Sequence, residues 1–196
     1  QAEDGIRDCL LSRGLGDVYK RQTEELSKKE KDLSIQMMRI NHAGEVAAQA
    51  LYRGQAFVCK DPKIKEHLIH AGEEETDHLV WCKKRLDELG GNSSILNPLW
   101  YAGSFAIGAI FGSMGEKTSL GFVEETEKQV VIHLQKHLDK ISKKDKETIE
   151  ILKTMQADED LHAGQANESG AEELESPTKK VMEVTAKVMT STSAYI

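Results

Sequence analysis

Apolar and small residues return along most of this chain at the three- and four-residue spacing of amphipathic helices. From about residue 33 to 59 the repeat runs through Ile35, Met38, Ala43, Val46, Ala50 and Phe57, which predicts a first helix with those residues inward. Asp61-Pro62 then supplies an N-cap followed by proline at the first helical position, so a second helix is expected to run to Leu89, ahead of Gly90-Gly91. Its inward stripe reads Leu68, Ala71, Leu79, Cys82, Leu86. Asn97-Pro98 opens a third helix in the same way. A fourth, over about 117–141, turns Val123, Val130, Val131, Leu134 and Leu138 inward. A fifth follows the charged turn SKKDK, with Ile149, Leu152, Met155, Ala163 and Ala166 as its stripe. After a polar loop at 167–176, Ser176-Pro177 opens the last segment. There Val181, Val184, Val188 and Ala194 stand among polar residues, a weakly amphipathic pattern suited to packing on a bundle or touching a membrane surface.

Residues 1–22, QAEDGIRDCLLSRGLGDVYKRQ, break this pattern, with neither an apolar period nor the hydrophobic core of a signal peptide. Gln1 to Asp8 resembles a translated sequencing adapter. The segment reads as foreign to a domain over 23–196, or as an ordinary disordered terminus, and neither reading gives Cys9 a role.

Composition then narrows the class. A chain of 196 residues suits one domain with a sizeable core. Three prolines and 5% aromatic residues suit an all-α fold better than a β-sandwich with its closely spaced turns. A formal charge of -7 argues against broad binding to nucleic acid. Three cysteines without a CxxC pair point to a reducing cytoplasmic setting, with Cys82 as a small core residue. Between Glu88 and Glu116 no Asp, Glu, Lys or Arg occurs, although 30% of the chain is charged. The apolar part of that stretch falls short of the ~20 residues that span a bilayer. It is also broken by Gly103, Gly108 and Gly112. Trp100 and Tyr101 at its entry have the rings favoured at a membrane interface. Two readings compete: a buried core helix, and a helix that lies in one leaflet or lines an apolar channel.

The chemistry begins with Glu75-Thr76-Asp77-His78 and its echo, Glu159-Asp160-Leu161-His162. Positions i and i+3 of a helix share a face, so each carboxylate and imidazole can grip one metal ion. Glu75 falls between Ala71 and Leu79 on the inward stripe, and Glu159 between Met155 and Ala163. Buried acids need cations or protons, because an unpartnered charge in a core costs several kcal/mol. Each half then needs a lone carboxylate from a neighbouring helix. Glu45 is the acid well inside the first helix. In the fourth, Glu127 has Val123, Val130, Val131 and Leu134 around it, Glu124 lies near the edge of that face, and Glu125 points with Lys128, Gln129 and Ile132. Glu127 is therefore selected. Both halves read Glu, then Glu-x-x-His, the ligand set of ferritin-like di-iron carboxylate bundles. Oxygen donors with few imidazoles suit iron or manganese over zinc or copper, and oxygenase chemistry over hydrolysis. Glu75 and His78 are expected to bind one ion, with Glu75 of that pair reaching the second. Asp158 is a candidate to fix a histidine tautomer, and Tyr52 a candidate to line the cavity. His42, His67, His70, His133 and His137 lie off ligand spacing and read as surface or core histidines.

These residues carry a resemblance. MRINHAGE from Met38 to Glu45, LYRGQ from Leu51 to Gln55, NPLW from Asn97 to Trp100, the run from Phe122-Val123 to His133-Leu134, and the ending KVMT from Lys187 to Thr190 are similar to the demethoxyubiquinone hydroxylase (Coq7) family, in its bacterial branch. The resemblance covers about residues 33–196. It implies a ferritin-like four-helix bundle with an extra apolar helix and a C-terminal amphipathic helix. It places the family's six iron ligands on Glu45, Glu75, His78, Glu127, Glu159 and His162. It also implies a monooxygenase that hydroxylates a polyprenylated methoxy-benzoquinol late in ubiquinone synthesis, with two iron ions, O2 as co-substrate, and NADH as a candidate electron donor. Further implications are peripheral attachment to the cytoplasmic side of the bacterial inner membrane and a complex with other ubiquinone-biosynthesis proteins. A prenylated substrate favours residues 95–115 as a monotopic anchor and channel wall. The family's usual leader before the first helix is the point of departure, since residues 1–22 stand there. Two other classes stay open: another ferritin-like di-iron oxidase such as a ferroxidase, and a non-catalytic membrane-associated helical bundle.

Overall fold

The structure, a computed structural model, describes residues 25–195, so the segment 1–22 lies outside the described residues. The described chain is all-α, in six helices: α1 Lys28–Val58, α2 Pro62–Glu88, α3 Asn97–Ser113, α4 Glu116–Lys140, α5 Lys146–Glu168 and α6 Ser176–Ser193. Local chemistry explains the starts. Ser27 and Glu30 form a reciprocal capping box at α1. Asp61 caps α2 ahead of Pro62, and Asp145 accepts from Thr148 N at the head of α5.

Helices α1, α2, α4 and α5 form the bundle, and α1 and α4 run antiparallel, so that Gln55 meets Ser119 while Tyr52 meets Glu127. The apolar core is split in two. At one end Met37, Met38, Trp81, Leu86, Leu134 and Leu152 pack together, and at the other Ala56, Leu68, Ala71, Val123 and Ala166. Between the two clusters, on all four helices, sit the acids and histidines singled out above. Beyond the first cluster, buried Arg85 of α2 ties the bundle end together: it donates to Asp145 at 2.7 Å, Thr148 at 2.9 Å and Glu88 at 3.1 Å, and also reaches Glu147.

Helix α3 lies across α1 and touches α4. The approach is backbone to backbone: a Cβ at Gly108 would stand 2.2 Å from the Leu51 carbonyl oxygen, and one at Gly54 2.2 Å from that of Phe105. Only residues without a Cβ allow this contact. With Gly108 turned inward, α3 shows solvent a charge-free face on which Leu99 is 60% and Ile110 58% exposed, so α3 is no core helix. No helix among the described residues is long and apolar enough to cross a membrane.

One inward expectation fails. Phe57 is 73% exposed, because α3 covers a different face of α1 and offers Phe57 only a tilted ring contact with Phe105 at 5.9 Å. In α6, Val181, Val184 and Val188 face outward while Ser193 and Ala194 are buried. The helix is held by polar contacts instead, Trp100 Nε1 to Ser193 Oγ at 2.9 Å and Arg39 to the Ala194 carbonyl at 3.2 Å.

Candidate metal centre

The i, i+3 spacing places Glu75 and His78 on the inner face of α2, and Glu159 and His162 on that of α5. Glu45 comes in from α1 and Glu127 from α4. All six side chains are buried in the layer between the apolar clusters. Glu124 does not compete with Glu127, since its carboxylate turns to Lys128 and Asn167.

The two central acids each approach both histidines. His78 Nδ1 stands 3.2 Å from Glu75 Oε2 and 3.2 Å from Glu159 Oε1, with Glu45 Oε2 at 3.8 Å. His162 Nδ1 stands 3.4 Å from Glu75 Oε1 and 3.4 Å from Glu159 Oε2, close but outside hydrogen-bonding geometry. Donor atoms of Glu45, Glu75, His78 and Glu159 all fall within 4.8 Å of one another, a grouping that can hold a metal ion. Glu127 and His162 lie outside that grouping in the same buried layer, and Glu127 Oε1 accepts the Tyr52 hydroxyl at 2.6 Å.

Each ring's far nitrogen meets an acid from the opposite half. His78 Nε2 lies 3.1 Å from Asp158 Oδ2, and His162 Nε2 lies 3.0 Å from Glu74 Oε2. A carboxylate only accepts, so each Nε2 carries hydrogen and each Nδ1 is aimed into the cluster. Asp158 precedes Glu159 and Glu74 precedes Glu75, so the orienting acids follow the same duplication as the centre. Sequence reasoning named Asp158 and missed Glu74, although Glu-Glu matched against Asp-Glu was a signal for it. It also missed the Tyr52–Glu127 bond, which depends on the register between α1 and α4. His42, His67, His70, His133 and His137 stay out of the cluster; His42 instead meets Asn97 at 3.2 Å.

Electrostatics set what the layer requires. Four carboxylates face two imidazoles, so with all of them ionised the layer would carry excess negative charge in a water-poor interior, which protons or cations must offset. Burial, then the neighbouring acids, push the Glu45 and Glu127 carboxyls well above the usual range. Burial opposes ionisation of Glu75 too, but the imidazoles of His162 and His78 beside it hold it low. Burial alone would depress both histidines, yet the acids around them raise His78 well above its ordinary value and His162 to about 11. Glu75 Oε1, Glu127 Oε2, Glu159 Oε2 and His162 Nδ1 are buried without a hydrogen-bond partner. These orphaned donors, facing one another, are what cations would satisfy, and the residues therefore fit a metal site. Beside Glu127, a cavity of about 10 Å³, room for one water-sized molecule, is lined by Tyr52, Leu51, Gln55, Phe122, Val123 and Thr126 among others.

Known proteins agree with this architecture. The structure is similar to that of the bacterioferritin-related protein of Bacteroides fragilis, with a TM-score of 0.58 at 18% identity, covering 69% of this chain and 82% of that one. At that identity the likeness is one of fold, a ferritin-like helical bundle. Among curated relatives named 3-demethoxyubiquinol 3-hydroxylase, that of Legionella pneumophila (strain Lens) is 54% identical over 87% of this chain and 80% of its own. That of Nitrosococcus oceani is 52% identical over 87% and 80%, and that of a Polaromonas species 47% identical over 89% and 84%. The model of the family described as ubiquinone biosynthesis protein COQ7 matches residues 31–193, and with relatives this close over most of its length, the chain belongs to that family.

Proposed function

We propose that this enzyme hydroxylates a polyprenylated methoxy-benzoquinol, demethoxyubiquinol, in ubiquinone biosynthesis, using a pair of iron ions and O2. One observation carries the reading: a COQ7-family chain buries four carboxylates and two imidazoles in one layer, with four of their donor atoms unpartnered. In this reading Glu45, Glu75 and His78 would hold one ion and Glu127, Glu159 and His162 the other. Oxygen donors with one imidazole per half favour iron or manganese. Bound there, iron supplies the reductive activation of O2 that ring hydroxylation needs. The chain's own residues supply the rest. Asp158 and Glu74 hold both rings in the tautomer that presents Nδ1. The apolar clusters at either end exclude water and keep the acids' charges strongly felt.

The substrate's tail accounts for α3. A charge-free helix carrying exposed Leu99 and Ile110, packed by Gly108 onto α1 next to the Tyr52 and Glu127 cavity, suits a surface that lies in a leaflet and passes an apolar chain inward. Peripheral attachment to the cytoplasmic side of the bacterial inner membrane follows in this reading, as do NADH as electron donor and a complex with other ubiquinone-biosynthesis proteins. The test is expression in a bacterium lacking its own demethoxyubiquinol hydroxylase, with iron analysis of the purified protein. Restored ubiquinone and two irons per chain are expected, both lost in Glu75→Ala. Accumulation of the demethoxy intermediate despite folded, iron-loaded protein would refute the assignment.

A further inference from the structure

The centre is built as a near-duplication, and a hydrogen bond on one side has no counterpart on the other. Tyr52, seven residues past Glu45 on α1, crosses to α4 and donates its hydroxyl to Glu127 Oε1 at 2.6 Å. The matching residue seven past Glu127 is Leu134, which is buried and has no hydrogen to donate. Tyr52 is itself buried, so water does not compete for its hydroxyl. Of the two Glu127 oxygens, Oε1 is therefore occupied while Oε2 is buried and unpartnered. Tyr52 and Glu127 also line the small cavity between α1 and α4, which places this half of the centre beside it.

We propose that Tyr52 is a positioning residue that makes the two metal half-sites unequal, by engaging Glu127 Oε1 and leaving Oε2 alone to face an ion. A hydrogen bond from a neutral hydroxyl to a charged carboxylate draws electron density from the oxygen it engages and fixes the rotation of the group. The half holding Glu127 is then the weaker and more open of the two, and it is the half that faces the cavity. This inference rests on the reading that the layer holds two ions, and it adds which of them is exchangeable and why.

Anaerobic titration of the metal-free full chain with Co(II), followed by its visible absorption, tests the proposal. The wild-type protein is expected to take up two ions in steps separated by about tenfold, the scale of one charge-assisted hydrogen bond. In Tyr52→Phe, two ions still bind and the steps draw to within about threefold, with a changed absorption for the second ion only. A purely structural role would lower the melting temperature of Tyr52→Phe and leave both steps and both spectra as in the wild type; that result overturns the proposal. A second measurement needs no substitution: tyrosine ultraviolet difference absorption in the wild type should change with the second equivalent and not with the first. An equal change with both equivalents overturns the proposal as well. Failure of the wild-type protein to bind two ions would instead sink the metal centre itself.

Discussion

The acids behind the histidines give the sharpest test of the centre. In Asp158→Asn the side chain keeps its shape but loses the charge that holds His78 Nε2–H at 3.1 Å. An amide can present either an oxygen or an NH2 group, so the ring is no longer confined to the tautomer that aims Nδ1 at Glu75 and Glu159. Removing an outer acid of this kind costs about 10- to 100-fold in metal affinity. By the free-energy scale of about 1.4 kcal/mol per tenfold, that is roughly 1.4–2.7 kcal/mol. The Asp158 side chain is 29% exposed, so part of its charge is screened and the lower end of the range is expected. Because the orienting acids cross between halves, the loss should fall on the ion beside His78, although Asp158 belongs to the helix of His162. Glu74→Gln should do the reverse, weakening the ion beside His162 through the bond at 3.0 Å. Anaerobic Co(II) or Fe(II) titration of each metal-free variant measures this. Wild-type affinity for both ions in both variants, or a loss confined to the ion on the substituted helix, would refute the crossed arrangement.

Three further outcomes follow from the same layer and its surroundings. The metal-free protein should lose stability as pH rises from about 5 to 9: Glu45, Glu127, His78 and His162 all have folded pKa values above their ordinary ones, so the folded state holds more protons than the unfolded state. Glu75, held low, has already contributed its share above pH 5, and thermal melts of metal-loaded protein should be flatter over the same window because ions replace the protons. Arg85→Ala leaves Asp145 buried without its cation and should cost about 3–5 kcal/mol in denaturant unfolding; a loss under 1 kcal/mol would mean that the network adds little. Gly108→Ala puts a Cβ 2.2 Å from the Leu51 carbonyl oxygen, so α3 must move off α1. Faster proteolysis within α3 and a drop of about 1–3 kcal/mol in stability are expected, and an unchanged protein would contradict the close contact.

Periodicity, caps and the doubled Glu-x-x-His pattern were enough to read the helices, the all-α class and the six inward acids and histidines. Each of these depends on neighbours within a turn or two along one helix, where spacing alone settles which residues share a face. The face of α1 that α3 covers was not legible in that way. Phe57 sits at helical spacing with Met38 and Ala50, but only the glycine contacts at Gly54 and Gly108 decide that α3 lies elsewhere and leaves Phe57 exposed. The weak amphipathic pattern of α6 left its valines open to packing or to exposure, and only the tertiary contacts, with Ser193 as a polar anchor, turn them outward. In the buried layer, the six inward acids and histidines could be chosen from the sequence, whereas Glu74 meeting His162 and Tyr52 meeting Glu127 come from helices far apart in the chain. Such pairings are fixed by the relative register of packed helices, a quantity set by side-chain interlocking across the whole bundle, so they were decided by tertiary structure alone.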